Sequence, residues 1–545
     1  MGQTQSLQSH GSLIASRFWL AGANLRPAVL DRQLATAICI VLIAILIRAP
    51  YLGDPAADPD EQLYSVMGQA WLVGDMPYRD IWDRKPPGLF ALFAGFHWIG
   101  GPSPLAYQIP GIVATAVSAL MIHKLAQKIG TPFGAVVVAL LFLLNIPLFF
   151  MHLGQSETFL GPILLLQLIW IRRVFSSDDR AKVFRSLCAI MALGGAALQI
   201  KYSVLPFCAL LAVLAAVRLW QMRFGFMLTA ASLMFFSILG LLPTILFAAY
   251  FASQGEFEAF FFANFISIFL RSEFYPLLAE TNIHKLSTAA FPLGAFALLS
   301  TVTAHRMRAR IDVPLFLLIA AFTAVGAFSL VMLGSPFVHY FGLTLPFICL
   351  MSASFFSYHR SHRIFGGVAL LLALACASFA EQIEHSSSHR AAVTALVADI
   401  EAHVPADECI FIFDGPTILY ASANRCIPTK FAFSPHLTSH HERSALNVDP
   451  ASETARIMAE EPGAILVTDA FKTGQFLPET RDLVHAGIVS GYVLADTVDY
   501  YPGSVELYIR ADLAPPQRSN GDANTTRPCA IRYGRPCEIF VSFAD

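Results

Sequence analysis

The feature that most limits what this chain can fold into is a series of apolar segments whose connecting loops differ sharply in basic charge. Runs at 34–47, 104–123, 132–150, 157–171, 187–200, 202–217, 226–250, 286–304, 313–333, 341–357 and 364–380 are oily enough to lie in lipid. Several fall short of the roughly 20 apolar residues that a crossing needs. One further run, 88–101 (GLFALFAGFHWIGG), has the length of an interfacial or re-entrant helix. Loop charge decides how to count it. With 88–101 in the interface and the amino terminus cytoplasmic, the pairs Lys124 and Lys128, Arg172 and Arg173, Arg218 and Arg223, Arg306 and Arg310, and Arg360 and Arg363 all fall inside. Counting it as a crossing would put every pair outside, and the positive-inside rule selects the first arrangement. The expectation is a polytopic α-helical membrane protein of about eleven spans. Residues 1–33 form a cytoplasmic tail, 34–380 a membrane module with a first external loop at 53–103, and 381–545 an external domain. The first run starts too far into the chain for a signal peptide and has no small-residue cleavage site, so it is read as a retained anchor.

Composition agrees with that class. Of 545 residues only 14% are charged, against about 25% in soluble proteins. A net charge of -2 supplies no basic field for a nucleic-acid partner. Cys39, Cys188, Cys208, Cys349 and Cys376 lie in apolar runs and are read as small hydrophobes. Cys409, Cys426, Cys529 and Cys537 lie in the polar last third, where an even number can pair in an oxidising compartment. The local pairings Cys409–Cys426 and Cys529–Cys537 are expected, among three connectivities that four cysteines allow. After residue 380, strand-like runs at 409–413 and 464–468, a hairpin near 492–508, and helical stretches at 389–403 and 452–461 predict a small α/β domain. No P-loop, GxGxxG, GxSxG or internal repeat is visible, and the sequon at Asn524 is taken as chance.

The polar interruption at 58–88, DPDEQLYSVMGQAWLVGDMPYRDIWDRKPPG, is where chemistry is expected. One acid among Asp58, Asp60 and Glu61 is explained by capping a helix that starts there. The others leave room for a general base, which needs a carboxylate within hydrogen-bond reach of a hydroxyl. Arg84 and Lys85 precede a diproline that opens the 88–101 helix. Free N–H groups at a helix start attract anions, so this is either a phosphate corner or a pair of side chains snorkelling to headgroups. Glu157 opens an apolar helix, where a dipole partner is the plain reading. Lys201 lies between two apolar runs, where an ionisable group usually has a partner or a task. His339 and Tyr340 fall on the same expected face as the acids.

These residues resemble a known family. Asp60, Glu61 and Tyr64 stand as DE-x-x-Y. Gly74, Pro77, Tyr78 and Asp80 follow as G-x-x-PY-x-D, and Lys85 to Gly88 as KPPG. The order is similar to that of GT-C glycosyltransferases of family 39 type, the bacterial relatives of protein O-mannosyltransferases and the lipid A aminoarabinose transferase. Further likeness runs through Gln155 to Glu157, Lys201, His339 to Phe341, and Phe413 to Arg425. The resemblance implies an inverting transferase in the bacterial inner membrane. It would take sugar from a polyprenyl-phosphate donor to an envelope acceptor (lipid A, polysaccharide or protein) at the periplasmic face. It assigns Asp60 as general base, and Glu61 and Glu157 to acceptor or sugar hydroxyls. It assigns Lys85, Arg84, Lys201 and His339 to the donor phosphate, and a loop at 251–285 carrying Arg271 and Tyr275 to closing over the donor. O-mannosyltransferases have His where this chain has Lys85, which tilts the match to the bacterial branch. No metal ligand set beyond the carboxylates is visible, so no metal is expected, and a divalent cation stays open. A transporter of polyprenyl-linked sugars or lipids, or a non-catalytic envelope scaffold, are the other readings.

Overall fold

The computed structural model describes residues 31–271, 276–332, 337–473 and 476–514; Tyr275, Asn524, Cys529 and Cys537 lie outside the described residues. The chain begins with α1 (Asp31–Tyr51). Two short helices follow, α2 (Pro59–Val73) and α3 (Pro87–Gly100), before the bundle resumes with α4 (Leu105–Ile129), α5 (Pro132–Asn145), α6 (Ser156–Val174), α7 (Arg180–Leu198), α8 (Leu205–Gln221) and α9 (Phe226–Ser253). The one-turn α10 (Phe257–Phe261) leads towards α11 (Pro276–Arg306) and α12 (Val313–Met332). Then come α13 (Leu345–Met351), α14 (Ala353–Tyr358), α15 (Arg360–Cys376) and α16 (Phe379–His403).

Among the described residues, eight helices are long and apolar enough to cross a membrane. They are α1, α4, α7, α8 with the turn before it, α9, α11, α12 and the continuous stretch of α15 and α16. The other three expected spans fall on α5, α6 and the α13–α14 pair. At 1.5 Å per residue α5 is only about 21 Å long, and it packs against α4, α13, α14 and α15. The α6 helix carries Glu157 at one end and Arg172 and Arg173 at the other. The expected loop at 251–285 is largely helical: α9 runs to Ser253, a short apolar helix occupies Phe257–Leu270, and α11 starts at Pro276. The aromatic run FEAFFFANFISIFL buries Phe260 and Ala263 against the bundle, and such a run gains more from packing than from lying open as a loop.

The α2 and α3 helices lie across one another. Gly68 makes the crossing possible, since a Cβ there would sit 2.8 Å from the Ala94 nitrogen and 2.9 Å from the Phe93 carbonyl carbon. The 14 residues of α3 are too few to span a bilayer, as expected.

The last third carries a four-stranded sheet of order β1-β2-β4-β3, with β1 at Ile410–Ile412, β2 at Ala464–Thr468, β3 at Tyr492–Tyr500 and β4 at Gly503–Arg510. The β1 and β2 strands run parallel, with Phe411 opposite Ile465, whereas β3 and β4 form an antiparallel hairpin. Helices Pro450–Ala459 and Pro478–Gly491 complete the α/β unit. The second of these helices was not anticipated. Cys409 and Cys426 form a disulfide beside β1. The helix expected at 389–403 starts ten residues earlier, at Phe379. The Trp82 N–H donates to the Lys430 carbonyl (2.7 Å) and the Ile418 N–H to Gln62 Oε1 (3.3 Å), tying the first loop to this unit.

Candidate active site

The site is built on the amino-terminal turn of α2. Pro59 sets the first helical residue, and Asp58 caps it: its Oδ1 accepts from the N–H groups of Asp60 (2.9 Å) and Glu61 (3.3 Å) and from Gln155 Nε2 (2.7 Å). Burial and the adjacent Asp60 push the Asp58 carboxyl above its ordinary value. Glu61 is fully buried and accepts the Gly154 N–H. Burial and then Asp58 raise its carboxyl well above the usual carboxylate range. Of the three acids, Asp58 is a cap and Glu61 a buried link to the turn before α6.

Asp60 is different. Its Oδ1 lies 3.6 Å from Lys85 Nζ and its Oδ2 lies 3.9 Å from His339 Nε2. Burial would raise its carboxyl, but Lys85, His339 and Lys201 outweigh burial and hold it below the ordinary carboxylate value. The His339 ring is itself pushed down by burial, and its Nε2 has no hydrogen-bond partner among the described residues. Lys85 also reaches Asp83 Oδ2 at 3.3 Å, and the two carboxylates keep the ammonium charged in spite of burial. The Tyr64 ring lies under that ammonium, 5.4 Å from ring centre to Nζ. The Lys85 carbonyl accepts from the Tyr78 hydroxyl at 2.8 Å, which connects the PY and KPPG parts of the motif.

Behind this pair stand Lys201 and Glu157. Their side chains form a buried ion pair, with Ser156 Oγ donating to the other Glu157 oxygen at 2.9 Å. Lys201 Nζ lies 4.1 Å from the centre of the Tyr340 ring, a cation–π distance.

The structure brings Asp60, Lys85, His339, Tyr64, Glu157 and Lys201 into one cluster. Three expected phosphate or substrate residues are placed elsewhere: Glu61 at the turn before α6, and Arg84 and Arg271 at Glu442. Arg84 forms a two-pronged pair with Glu442, with Nη1 at 2.8 Å from Oε1, and Arg271 Nε reaches the same Oε1 at 3.0 Å. Sequence reasoning missed Glu442 and Asp83. Asp83 had a signal, a carboxylate two positions before Lys85. Glu442, in the polar HHERS stretch, had none. Among the described residues, no three His, Cys, Asp or Glu side chains converge as metal ligands.

No family model matches the chain, and no curated protein matches it in sequence. Among solved structures, the crystal structure of ArnT from Cupriavidus metallidurans in the apo state has a TM-score of 0.57 at 14% identity, covering 90% of this chain and 100% of that chain. The crystal structure of the same protein bound to undecaprenyl phosphate has a TM-score of 0.55 at 13% identity, covering 90% and 99%. Identity this low carries likeness of fold alone. Over nine-tenths of its length, the chain shares the fold of that protein.

Proposed function

We propose that the chain is an inverting glycosyltransferase that moves a sugar from a polyprenyl-phosphate donor to an envelope acceptor. The observation that carries this reading is the pairing of Asp60 with Lys85 across 3.6 Å, which puts a carboxylate able to act as base and a cation able to hold a phosphate in one site. The acceptor hydroxyl oxygen forms a bond to the anomeric carbon as Asp60 takes its proton. The bond from that carbon to the phosphate oxygen breaks on the opposite face, and the electron pair leaves with the lipid phosphate. Charge grows on the departing phosphate, where a fixed cation lowers the barrier most; Lys85 supplies it, with His339 and Lys201 beside it. A protein of the same fold has been crystallised with undecaprenyl phosphate, which supports a lipid-linked donor here.

In this reading the site faces the periplasm from a bacterial inner membrane, with the amino terminus cytoplasmic and the sheet-bearing region outside. Loop charge supports that sidedness. Residues 34–380 form the membrane module and 381–545 a separate domain. A transporter would also use buried charges such as Lys201, but it leaves the Asp60–Lys85 pair without a task.

Purified protein with a polyprenyl-phosphate sugar donor tests the proposal. The wild type transfers sugar with inversion, and Asp60→Asn and Lys85→Ala lose most of it. Wild-type protein that transfers nothing from any such donor would overturn the reading. Both variants working at the wild-type rate would overturn the site assignment.

A further inference from the structure

Arg84 and Lys85 are consecutive, yet their side chains face different partners. Lys85 faces Asp60 and Asp83, whereas Arg84 turns to Glu442, 358 positions away. Its Nε is 3.4 Å from Ser267 Oγ, and Ser267 donates to the Ala445 carbonyl at 2.7 Å. Arg271 comes to the same Glu442 oxygen from the segment after α10. The Glu442 side chain is 5% exposed, Arg84 10% and Arg271 15%. Three separate parts of the chain thus meet at one buried carboxylate carrying two guanidiniums.

A guanidinium fork matches a carboxylate or a phosphate equally well. With Nε and both Nη nitrogens of Arg84 engaged by protein groups, its fork is closed to a lipid phosphate. What the pairing does instead is hold the main chain at residue 84, and so the starting point of the Lys85 side chain. It also holds Arg271, in the segment after α10, against the same carboxylate. Without the carboxylate the two guanidiniums repel, and both anchors loosen. Opposing charges from Arg84 and Arg271 keep the Glu442 carboxyl ionised against its burial.

We propose that Glu442 is a positioning residue of the donor-phosphate corner, tying Arg84 to Arg271 and thereby fixing the main chain from which the Lys85 side chain reaches the departing phosphate. This makes the sheet-bearing region part of the site. It rests on the transferase reading above.

The test measures binding of undecaprenyl phosphate to purified full-length protein in lipid nanodiscs, by native mass spectrometry of the folded fraction. Donor KM and kcat are measured alongside. Glu442→Gln keeps the shape and removes the charge; the expected result is undecaprenyl phosphate binding weakened about tenfold, with a matching rise in donor KM. Glu442→Asp keeps the charge but is one methylene too short to hold both arginines, so it weakens binding several-fold while retaining the fold. It decides the matter should Glu442→Gln misfold. A purely structural contact would lower the melting temperature and leave the affinity of the folded fraction unchanged, which overturns the proposal. Tighter binding in Glu442→Gln also overturns it, because the carboxylate would then be a competitor of the phosphate. Wild-type protein that fails to bind undecaprenyl phosphate overturns the transferase reading and this proposal together, whereas equal binding by wild type and variants overturns this proposal alone.

Discussion

The Lys85 ammonium stands 3.6 Å from the Asp60 carboxylate, one at the start of α3 and the other in the first turn of α2. The crossing of those two helices fixes the separation. Asp60→Asn keeps the volume of the side chain and removes its basicity. A positioned general base contributes roughly 10²–10⁴-fold, so kcat for sugar transfer falls by about that factor. Undecaprenyl phosphate binding persists or tightens, because a negative charge beside the phosphate is gone. Single-turnover transfer and lipid binding, measured on the same preparation, check both halves. Transfer within threefold of wild type would remove Asp60 from the role of base.

The same pair sets a pH dependence whose sign can be worked out. Asp60 is held below its ordinary value by Lys85, His339 and Lys201 against burial. A depressed carboxylate is ionised, and able to act as base, at all pH above that low value. Activity is lost only as pH falls through it. In Lys85→Gln the largest opposing charge is gone and burial remains, so the Asp60 carboxyl rises. Removing an adjacent opposite charge moves a carboxylate by about 1–3 pH units. The acidic limb of kcat/KM therefore moves upward by that amount, on top of a lower rate overall. A limb that stays in place would show that Asp60 is not the titrating group.

What was legible in the sequence follows the range of each interaction. Asp60, Tyr64 and Lys85 lie in one polar stretch, and their spacing carried the site. Strands β1 and β2 were visible because four to five consecutive apolar residues stand out in a polar third of the chain. The pairing of Lys201 with Glu157 was foreseeable only as a need for some partner. Glu442 was invisible: its partner Arg84 is 358 positions away, and nothing local marks one buried glutamate in a polar stretch. The 257–270 helix was read as loop because its aromatic run is too short to signal a span, and its burial depends on neighbours such as Phe251 of α9 and Tyr78 of the α2–α3 loop. Asp54 and His389, 335 positions apart, were missed for the same reason as Glu442.

Gly88 ends the KPPG motif because α3 abuts the end of α7. A Cβ at Gly88 would lie 2.4 Å from Gln199 Cβ and 2.8 Å from the Gln199 carbonyl oxygen. One of these contacts is backbone, so the helix start must move as a whole. Overpacking of this kind costs about 1–3 kcal/mol, and the shift carries Lys85, three residues upstream, away from Asp60. Gly88→Ala is expected to lower the melting temperature by several degrees and to reduce kcat more than tenfold. Gly95→Ala, in the same helix with open space around it, is the control and changes neither. Wild-type activity in Gly88→Ala would show that the α3 start does not position Lys85.

His389 lies in the polar part of α16, beyond the apolar run. Its Nδ1 is 3.1 Å from Asp54 Oδ2 and its Nε2 is 3.1 Å from the Tyr501 carbonyl oxygen. An ionised carboxylate and a carbonyl can only accept, so both contacts are hydrogen bonds only when both ring nitrogens carry protons. The ring also stacks on Tyr500. Facing it are His385, which is paired with Glu381, and Arg390, which donates to the Leu52 carbonyl; His152 and Arg48 lie further back. Burial lowers the imidazole, but Asp54 and the Tyr501 carbonyl outweigh it and raise it above the ordinary histidine value. A group raised on folding stabilises fully below its unfolded value, about 6.5, and that stabilisation is lost as pH rises through the folded value. The contact joins the α1–α2 loop to the β3–β4 hairpin, so the melting temperature is expected to fall as pH rises from about 6.5 through the raised folded value. In His389→Gln that fall is absent, and Asp54→Asn flattens it as well. Thermal unfolding in detergent across this range checks it, and an undiminished slope in His389→Gln would assign the pH dependence to other groups.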